Sequence, residues 1–456
     1  MKLNKDTSYL IVIFSSIILI FLDAYEIFSI PVTWIGLSLL VPVSLYEIKN
    51  TLWHKYSKFV YLFSIVFMIP DIFSILTENH STSDYVYILL RYYNIFSFVV
   101  VLFFCIYYFQ QTDLQYFFNK LKKFIYFYSL ITIYIFIAQI FDFYEPLRNR
   151  SNTTLFEGSI QSIFWLSQPH RAMGTFREPV FLVTFFLPLV LVYLYRERKN
   201  TLTLSILAGM ALGLTRSDYV RIFVLVIFIY LIINFVIKKE IMLTTLTLLF
   251  SIILFSSFGV LECNLNPDSF ECKDYSEDVE KINNSGKLKI KTNSTNPVTE
   301  LDSDRLNVIN YFLNSLNNVS PRGIGNVNEA YQDYSSEQIG EKMYLTNRTL
   351  PRYLLTRYST QNFGTGNYSL IEYEPNVQNL LVFYTQGFGV IFPVLLYLYF
   401  INLLMIKKLD LGTVFFSIII LLIFVSPIEE VNSYYALIIG LSYSLFISKK
   451  ELNEKV

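Results

Sequence analysis

The chain alternates long apolar stretches with shorter polar ones. Apolar segments run over residues 8–22, 30–47, 59–77, 85–109, 124–141, 176–195, 201–214, 219–237, 241–261, 376–406, 412–426 and 431–448. Most are as long as a helix must be to cross hydrocarbon, roughly 17–25 residues. Lipid offers no partner to a backbone amide, and a helix satisfies its amides within a single segment. The strands of a membrane barrel would alternate apolar and polar positions, which the run Phe415-Phe416-Ser417-Ile418-Ile419-Ile420 does not do. The pattern predicts an all-α integral membrane protein with about twelve transmembrane helices. One polar gap, 262–375, is far longer than the others and divides the chain into three parts. Residues 1–261 carry helices one to nine, 262–375 form a large extracytoplasmic loop, and 376–456 carry the last three helices and a short cytoplasmic tail.

The polar connections alternate in charge. One set holds Lys2 and Lys5; Lys49, Lys55 and Lys58; Lys120, Lys122 and Lys123; Arg196, Arg198 and Lys199; Lys238 and Lys239; Lys407 and Lys408; and Lys449, Lys450 and Lys455. The other set includes Asp23 and Glu26, Glu78 and Asp84, and Glu429 and Glu430, with no lysine or arginine in those three short links. Lysine and arginine gather on the cytoplasmic side of multi-pass proteins. The alternation stays in step through the chain and puts both termini in the cytoplasm. The start, Lys2 and Lys5 followed by an apolar run and then Asp23-Ala24-Tyr25-Glu26, lacks a small-residue cleavage site and is expected to remain as a signal anchor.

Composition agrees with this picture. Of 456 residues, 54% are hydrophobic and only 16% charged, and the mean hydropathy is +0.45. The formal net charge is zero, which gives no electrostatic basis for a nucleic-acid partner. Of the three cysteines, Cys105 lies in an apolar segment and reads as packing. Cys263 and Cys272 can close a small disulfide in an oxidising space or remain two thiols.

Several cations sit where the orientation rule does not favour them. The connection 142–175 carries Arg148, Arg150, His170 and Arg171, with Arg177 at the mouth of the next helix, and the short turn 215–221 carries Arg216 and Arg221. Anion binding accounts for them on the outer face, and so does local pairing of Arg216 with Asp218 or of Arg177 with Glu178. Within the large loop, 262–300 is polar and loosely packed in expectation. From Ser303 a helical pattern follows, then a glycine turn, Ser320-Pro321-Arg322-Gly323-Ile324-Gly325. Further on, Arg348, Arg352 and Arg357 would share one helix face with Tyr353 and Tyr358. Arginine forks suit a diphosphate and tyrosine rings suit sugar faces; an ordinary solvated basic face has the same spacing.

Four stretches, in order, resemble the superfamily of O-antigen polymerases and O-antigen ligases. His170-Arg171-Ala172-Met173-Gly174-Thr175-Phe176-Arg177-Glu178-Pro179 is similar to its Arg-x-x-Gly-x-Phe-x-Glu-Pro signature at a helix entrance. Leu214-Thr215-Arg216-Ser217-Asp218-Tyr219-Val220-Arg221 resembles its short Thr-x-Ser-Arg turn with altered order, and Pro321-Arg322-Gly323-Ile324-Gly325 resembles a late loop turn. Gln378-Asn379-Leu380-Leu381 through Gln386-Gly387-Phe388-Gly389 resembles a His-Asn segment that opens the next helix. Ligases of the superfamily have histidine where this chain has Gln378, so the resemblance favours a Wzy-type O-antigen polymerase over a ligase.

The resemblance implies a glycosyltransferase of the bacterial cytoplasmic (inner) membrane, acting on oligosaccharide repeat units carried on undecaprenyl diphosphate. Its product would be O-antigen, capsule or exopolysaccharide, and its working partners the flippase and chain-length regulator proteins. No cofactor is expected, and because the histidines and cysteines lack ligand spacing and no acidic pair stands out on the outer face beyond Asp302-Ser303-Asp304, the transfer is expected to be metal-independent. Arg171, Arg216 and Arg221 would stabilise the leaving diphosphate, with Arg322 and Arg348 as helpers, and Arg352, Tyr353 and Gln378 would contact substrate. The base is left open among His170, Glu178 and Asp218. A non-enzymatic flippase or transporter is the rival from another class. Transporters commonly show two related halves, and here only the second half holds a large loop.

Overall fold

The computed structural model describes residues 5–27, 30–51, 57–69, 72–73, 76, 82–112, 114–140, 171–176, 178–197, 201–238, 242–265, 380–388, 390–406, 411–425 and 431–445. Among these the chain is helical, apart from turns and one pair of two-residue antiparallel strands. The helices are α1 (Lys5–Ile20), α2 (Val32–Tyr46), α3 (Ile48–Thr51), α4 (Ser57–Phe67), α5 (Thr82–Gln111), α6 (Leu114–Ile140) and α7 (Pro179–Arg196). They continue as α8 (Leu202–Gly213), α9 (Asp218–Lys238), α10 (Leu243–Leu265), α11 (Leu380–Phe388), α12 (Ile391–Ile406), α13 (Leu411–Val425) and α14 (Ser433–Tyr443). The strands β1 (Glu26–Ile27) and β2 (Ile30–Pro31) close the link between α1 and α2.

Every apolar segment seen in the sequence carries helix. Three helical stretches are by themselves long and apolar enough to cross a membrane: Leu89–Gln111 of 23 residues, Leu114–Ala138 of 25, and Pro179–Arg196 of 18. Three boundaries differ from the sequence expectation. α6 begins at Leu114 rather than near 124, so Lys120, Lys122 and Lys123 lie on its first turns and not in a connection. Lysine is a good helix former, and its long stem can lie along an apolar face while the amine stays in water. Within the segment expected as one helix over 376–406 lie two helices, α11 ending at Phe388 and α12 beginning at Ile391. Gly387 lies in the last turn of α11, where glycine lacks the helix preference of its neighbours. α4 stops at Phe67, shortly before Pro70, whose ring and missing amide oppose helix continuation.

Ring contacts fix how the helices run past one another. Tyr9 of α1 packs edge-on to Phe104 and Tyr108 of α5, Phe14 meets Phe117 of α6, Phe118 meets Tyr193 of α7, and Tyr195 stacks on Phe415 of α13 at 4.5 Å. The start of α1, the ends of α5 and α7, and the starts of α6 and α13 therefore share one end of the bundle. The end of α2 joins them, because the Tyr9 hydroxyl donates to Glu47, whose other carboxylate oxygen accepts from Asn50 Nδ2. Lys49, Lys120 and Arg196 are exposed at this end, with Lys122 and Lys123 exposed up to a turn further along α6. Helix ends flanked by basic residues thus lie together, as the charge alternation requires.

The next layer, toward the opposite end, is organised around Phe21. Its ring lies edge-on to Tyr128 at 4.7 Å, Phe124 at 5.0 Å, Phe176 at 5.3 Å and Tyr434 at 6.0 Å. Edge-to-face pairs of this kind are worth about 0.5–1.5 kcal/mol each beyond their burial. Tyr434 also ties α14 to α7, its hydroxyl donating to the Phe185 carbonyl at 2.6 Å. Pro188 interrupts the hydrogen bonding of α7 one turn beyond, so a side-chain donor here helps satisfy a strained part of that helix. Asn432 caps α14, its Oδ1 accepting from the amides of Tyr434 and Tyr435.

α8 and α10 approach more closely than side chains normally permit. A β-carbon added at Gly209 would sit 2.5 Å from Ser251 Cβ and 2.9 Å from the Leu248 carbonyl. One added at Gly213 would sit 2.7 Å from the Ile252 carbonyl. The two glycines are one helical turn apart, in the small-xxx-small arrangement that lets membrane helices touch backbone to backbone. Ser256 Oγ closes the contact by donating to the Gly213 carbonyl at 3.2 Å.

Candidate functional site

This glycine contact holds the C-terminus of α8, and the arginine turn follows directly from it. The Leu214 amide continues the helical bonding to Met210, the Thr215 amide tightens to Leu212, and the Arg216 amide bonds the Gly213 carbonyl at 3.1 Å. Arg216 then takes φ of +47°. Left-handed backbone costs a residue with a side chain about 1–2 kcal/mol. The turn holds it because Thr215 Oγ1 bonds back to Leu212 and accepts from the Ser217 amide, while Val220 bonds the Ser217 carbonyl as α9 starts. Strain of this kind persists where the surroundings over-determine the backbone, and it clusters at functional sites.

The second piece is the segment 171–176. The Ala172 amide bonds the Leu214 carbonyl at 2.9 Å, and Arg171 Nε bonds the Thr215 carbonyl at 3.0 Å. Two arginine motifs 44 residues apart are thereby zipped together, and the guanidinium of Arg171 ends beside the residue that precedes Arg216. Both arginines are half-buried. Arg171 also reaches carbonyls exposed where α8 ends, the negative pole of that helix, which favours a cation.

The 171–176 segment is anchored from beneath. Gly174 has φ of +56°, and a β-carbon there would lie 3.0 Å from Thr132 Oγ1 and 3.1 Å from the Tyr128 hydroxyl of α6. Thr175 bridges two helices: its hydroxyl donates to the Phe21 carbonyl, and the Tyr128 hydroxyl lies 3.0 Å from Thr175 Oγ1. A threonine hydroxyl has one proton, so Tyr128 is the donor in that second bond. The Thr175 carbonyl accepts from the Ala24 amide at 2.9 Å. One residue back, Asp23 is buried and accepts from Thr33 Oγ1 at 2.9 Å, fastening the start of α2 to the same junction. Asp23, Thr33, Tyr128 and Thr175 were not picked out by the sequence reading. Asp23 appeared there only as an acidic residue in a short link.

Each expected site residue can now be placed. Arg171 and Arg216 converge. Glu178 stands at the N-cap position of α7 with extended backbone and Pro179 at the first helical position. Its carboxylate makes no capping hydrogen bond among the described residues. Asp218 and Arg221 lie on the first turn of α9; their side chains, and with them the Arg216–Asp218 pairing, lie outside the described residues. So do His170, Arg177, Arg322, Arg348, Arg352, Tyr353 and Gln378, the 262–375 loop beyond Leu265, and the Cys263–Cys272 pairing.

Chemically, the junction offers two guanidinium groups and two helix N-termini, those of α7 and α9, which begin within a few residues of it. Amides at helix starts and arginine forks both favour an anion. Ser217 Oγ, also at the turn, is buried with no hydrogen-bond partner among the described residues. No family model, characterised protein or solved structure matches this chain.

Proposed function

We propose that this protein is a surface-polysaccharide repeat-unit polymerase. It transfers a growing glycan from undecaprenyl diphosphate to the next lipid-linked oligosaccharide repeat unit at the outer face of a bacterial cytoplasmic membrane. The chain crosses that membrane about twelve times and presents 262–375 outside. The observation that supports this most is the meeting of Arg171 with the strained Arg216 turn, at the end of the bundle away from the exposed lysines. The sequence resemblance in the same two motifs points to the same chemistry.

The reaction asks two things of such a site. A hydroxyl of the acceptor sugar attacks the anomeric carbon of the donor glycan as the bond to the diphosphate oxygen breaks, and the diphosphate departs with the electron pair. Arg171 and Arg216, joined by Arg221, stabilise that developing charge, and guanidinium groups keep their proton at any working pH. The proton released by the attacking hydroxyl goes to a carboxylate or imidazole, with Glu178, Asp218 and His170 as candidates. Arg322, Arg348, Arg352, Tyr353 and Gln378 would bind the substrate from the outer loop and the helix after it.

The test is genetic and direct. Arg171→Ala, Arg216→Ala and Arg348→Ala are introduced separately, and the length of surface polysaccharide is measured beside a deletion strain. The expected result is a collapse to single repeat units in the deletion and in the Arg171 and Arg216 variants. A deletion that abolishes surface repeat units altogether would indicate a flippase instead. Wild-type chain length in all three variants would remove the site assignment.

A further inference from the structure

α6 has a second surface that the proposed reaction does not use. Its inward residues, Phe117, Phe118, Leu121, Ile125 and Tyr128, are buried in the core. Its outward face is exposed and changes character within one turn. Asn119, Lys122 and Lys123 are followed by Tyr126 and Phe127, and then by Leu130, Tyr134 and Ile137, all exposed. A helical turn rises about 5.4 Å, so the amines lie one turn from the first rings. Asn119, Lys122, Lys123, Tyr126 and Phe127 together line an open cleft of about 520 Å³.

The neighbouring Lys120 is differently placed, its ammonium lying 5.4 Å from the centre of the Tyr116 ring. Lys122 and Lys123 form no ion pair among the described residues, and both border the cleft. The surface therefore pairs two ammonium groups with a hydrogen-bonding amide at one level and an apolar, aromatic wall at the next. That is the order in which a phospholipid presents its phosphate and its acyl chains. Basic pockets on membrane helices attract anionic headgroups, and aromatic side chains settle at the same interface.

We propose that this cleft binds an anionic glycerophospholipid, its phosphate between Lys122 and Lys123 and its acyl chains along Phe127, Leu130, Tyr134 and Ile137. The occupant is a lipid and not a free anion, because the wall beyond the amines is apolar and continuous down the helix. The site is independent of the polymerase reading and stands or falls without it.

The experiment uses the full chain purified in phosphatidylcholine nanodiscs into which phosphatidylglycerol is titrated, with lipid retention read by native mass spectrometry and stability by thermal melting. Wild type should retain phosphatidylglycerol and melt at higher temperature. Lys122→Gln/Lys123→Gln should weaken retention about tenfold or more, as the loss of two interfacial charges implies, and should lose the melting shift. Both side chains are exposed, so the double variant should fold normally, and Lys49→Gln serves as the control for general surface charge. Inorganic phosphate should not reproduce the shift. Equal phosphatidylglycerol effects in wild type and double variant would overturn the proposal, as would an equal loss in Lys49→Gln. A shift of the same size from inorganic phosphate would also overturn it, by marking a small-anion site.

Discussion

At one end of the bundle Arg171 reaches a backbone carbonyl at 3.0 Å and Arg216 is held at φ of +47°. Toward the other end Lys120, Lys122 and Lys123 stand exposed on a single helix. The same formal charge is fixed by the fold in the first case and only carried by it in the second. A side chain bonded to the backbone of a neighbouring segment has one place to be, so its charge can be aimed at a reacting atom. An exposed lysine keeps its rotamers and its water, and its charge acts on whatever approaches the surface. The contrast is what the two proposals require: a local, geometric task for the arginines and headgroup contact for the lysines.

The comparison breaks most severely if the support beneath the arginine turn is removed. Gly213 touches the Ile252 carbonyl, which is backbone and has no rotamer to turn aside. Gly213→Leu should therefore part α8 from α10 and cost about 3 kcal/mol, at the upper end of overpacking penalties. Met210→Leu on the same helix is a near volume-conserving change and should cost about 1 kcal/mol or less. Thermal melting of the purified proteins distinguishes the two. If Gly213→Leu melts like the wild type, the glycine contact does not fix the turn.

A smaller loss is expected one layer further out. Thr175→Val keeps the shape of the side chain but leaves the Phe21 carbonyl and the Tyr128 hydroxyl without the partner each has now. Losing a buried bond in this way costs about 1–3 kcal/mol, and about 2 kcal/mol is expected here. The lysine end should be indifferent to it: phosphatidylglycerol retention in Thr175→Val should match the wild type. Lipid retention that fell together with melting temperature would mean that the two ends are coupled through α6.

Much of the scaffold could be read in advance, because the apolar blocks are long enough to demand helices and most charge clusters mark an end. The helix positions and the shared lysine end followed from that logic. What it missed has physical reasons. Lys120, Lys122 and Lys123 look like a connection to any hydropathy count, yet lysine extends a helix readily and α6 begins six residues before the first of them. The pair Gly209 and Gly213 was legible as small-xxx-small spacing, but nothing local says which helix it will touch. Asp23 with Thr33, and Thr175 with Phe21, are contacts between segments 10 and 154 residues apart, and no period in the sequence encodes them. The resemblance singled out Arg171 and Arg216 separately; only folding puts them side by side.

The smallest expected change in stability is also the most informative, because it separates the charge of Arg216 from its backbone. Arg216 is the one non-glycine residue with positive φ among the described residues. Glycine adopts that conformation freely, so Arg216→Gly removes a strain of about 1 kcal/mol. Greater freedom in the unfolded chain offsets part of that gain. Melting temperature should therefore hold or rise slightly. Polysaccharide length should nevertheless collapse, since the guanidinium proposed to face the leaving diphosphate is gone. A structural role for Arg216 predicts the opposite pairing, lower stability with chain length kept. In the same assay Lys122→Gln/Lys123→Gln should leave polymer length unchanged, because those amines face outward on α6 about 20 Å along the helix from Phe136, which packs with Ala172 beside Arg171. Shortened polymers from the lysine variant and normal ones from Arg216→Gly would reverse the assignment of the two ends.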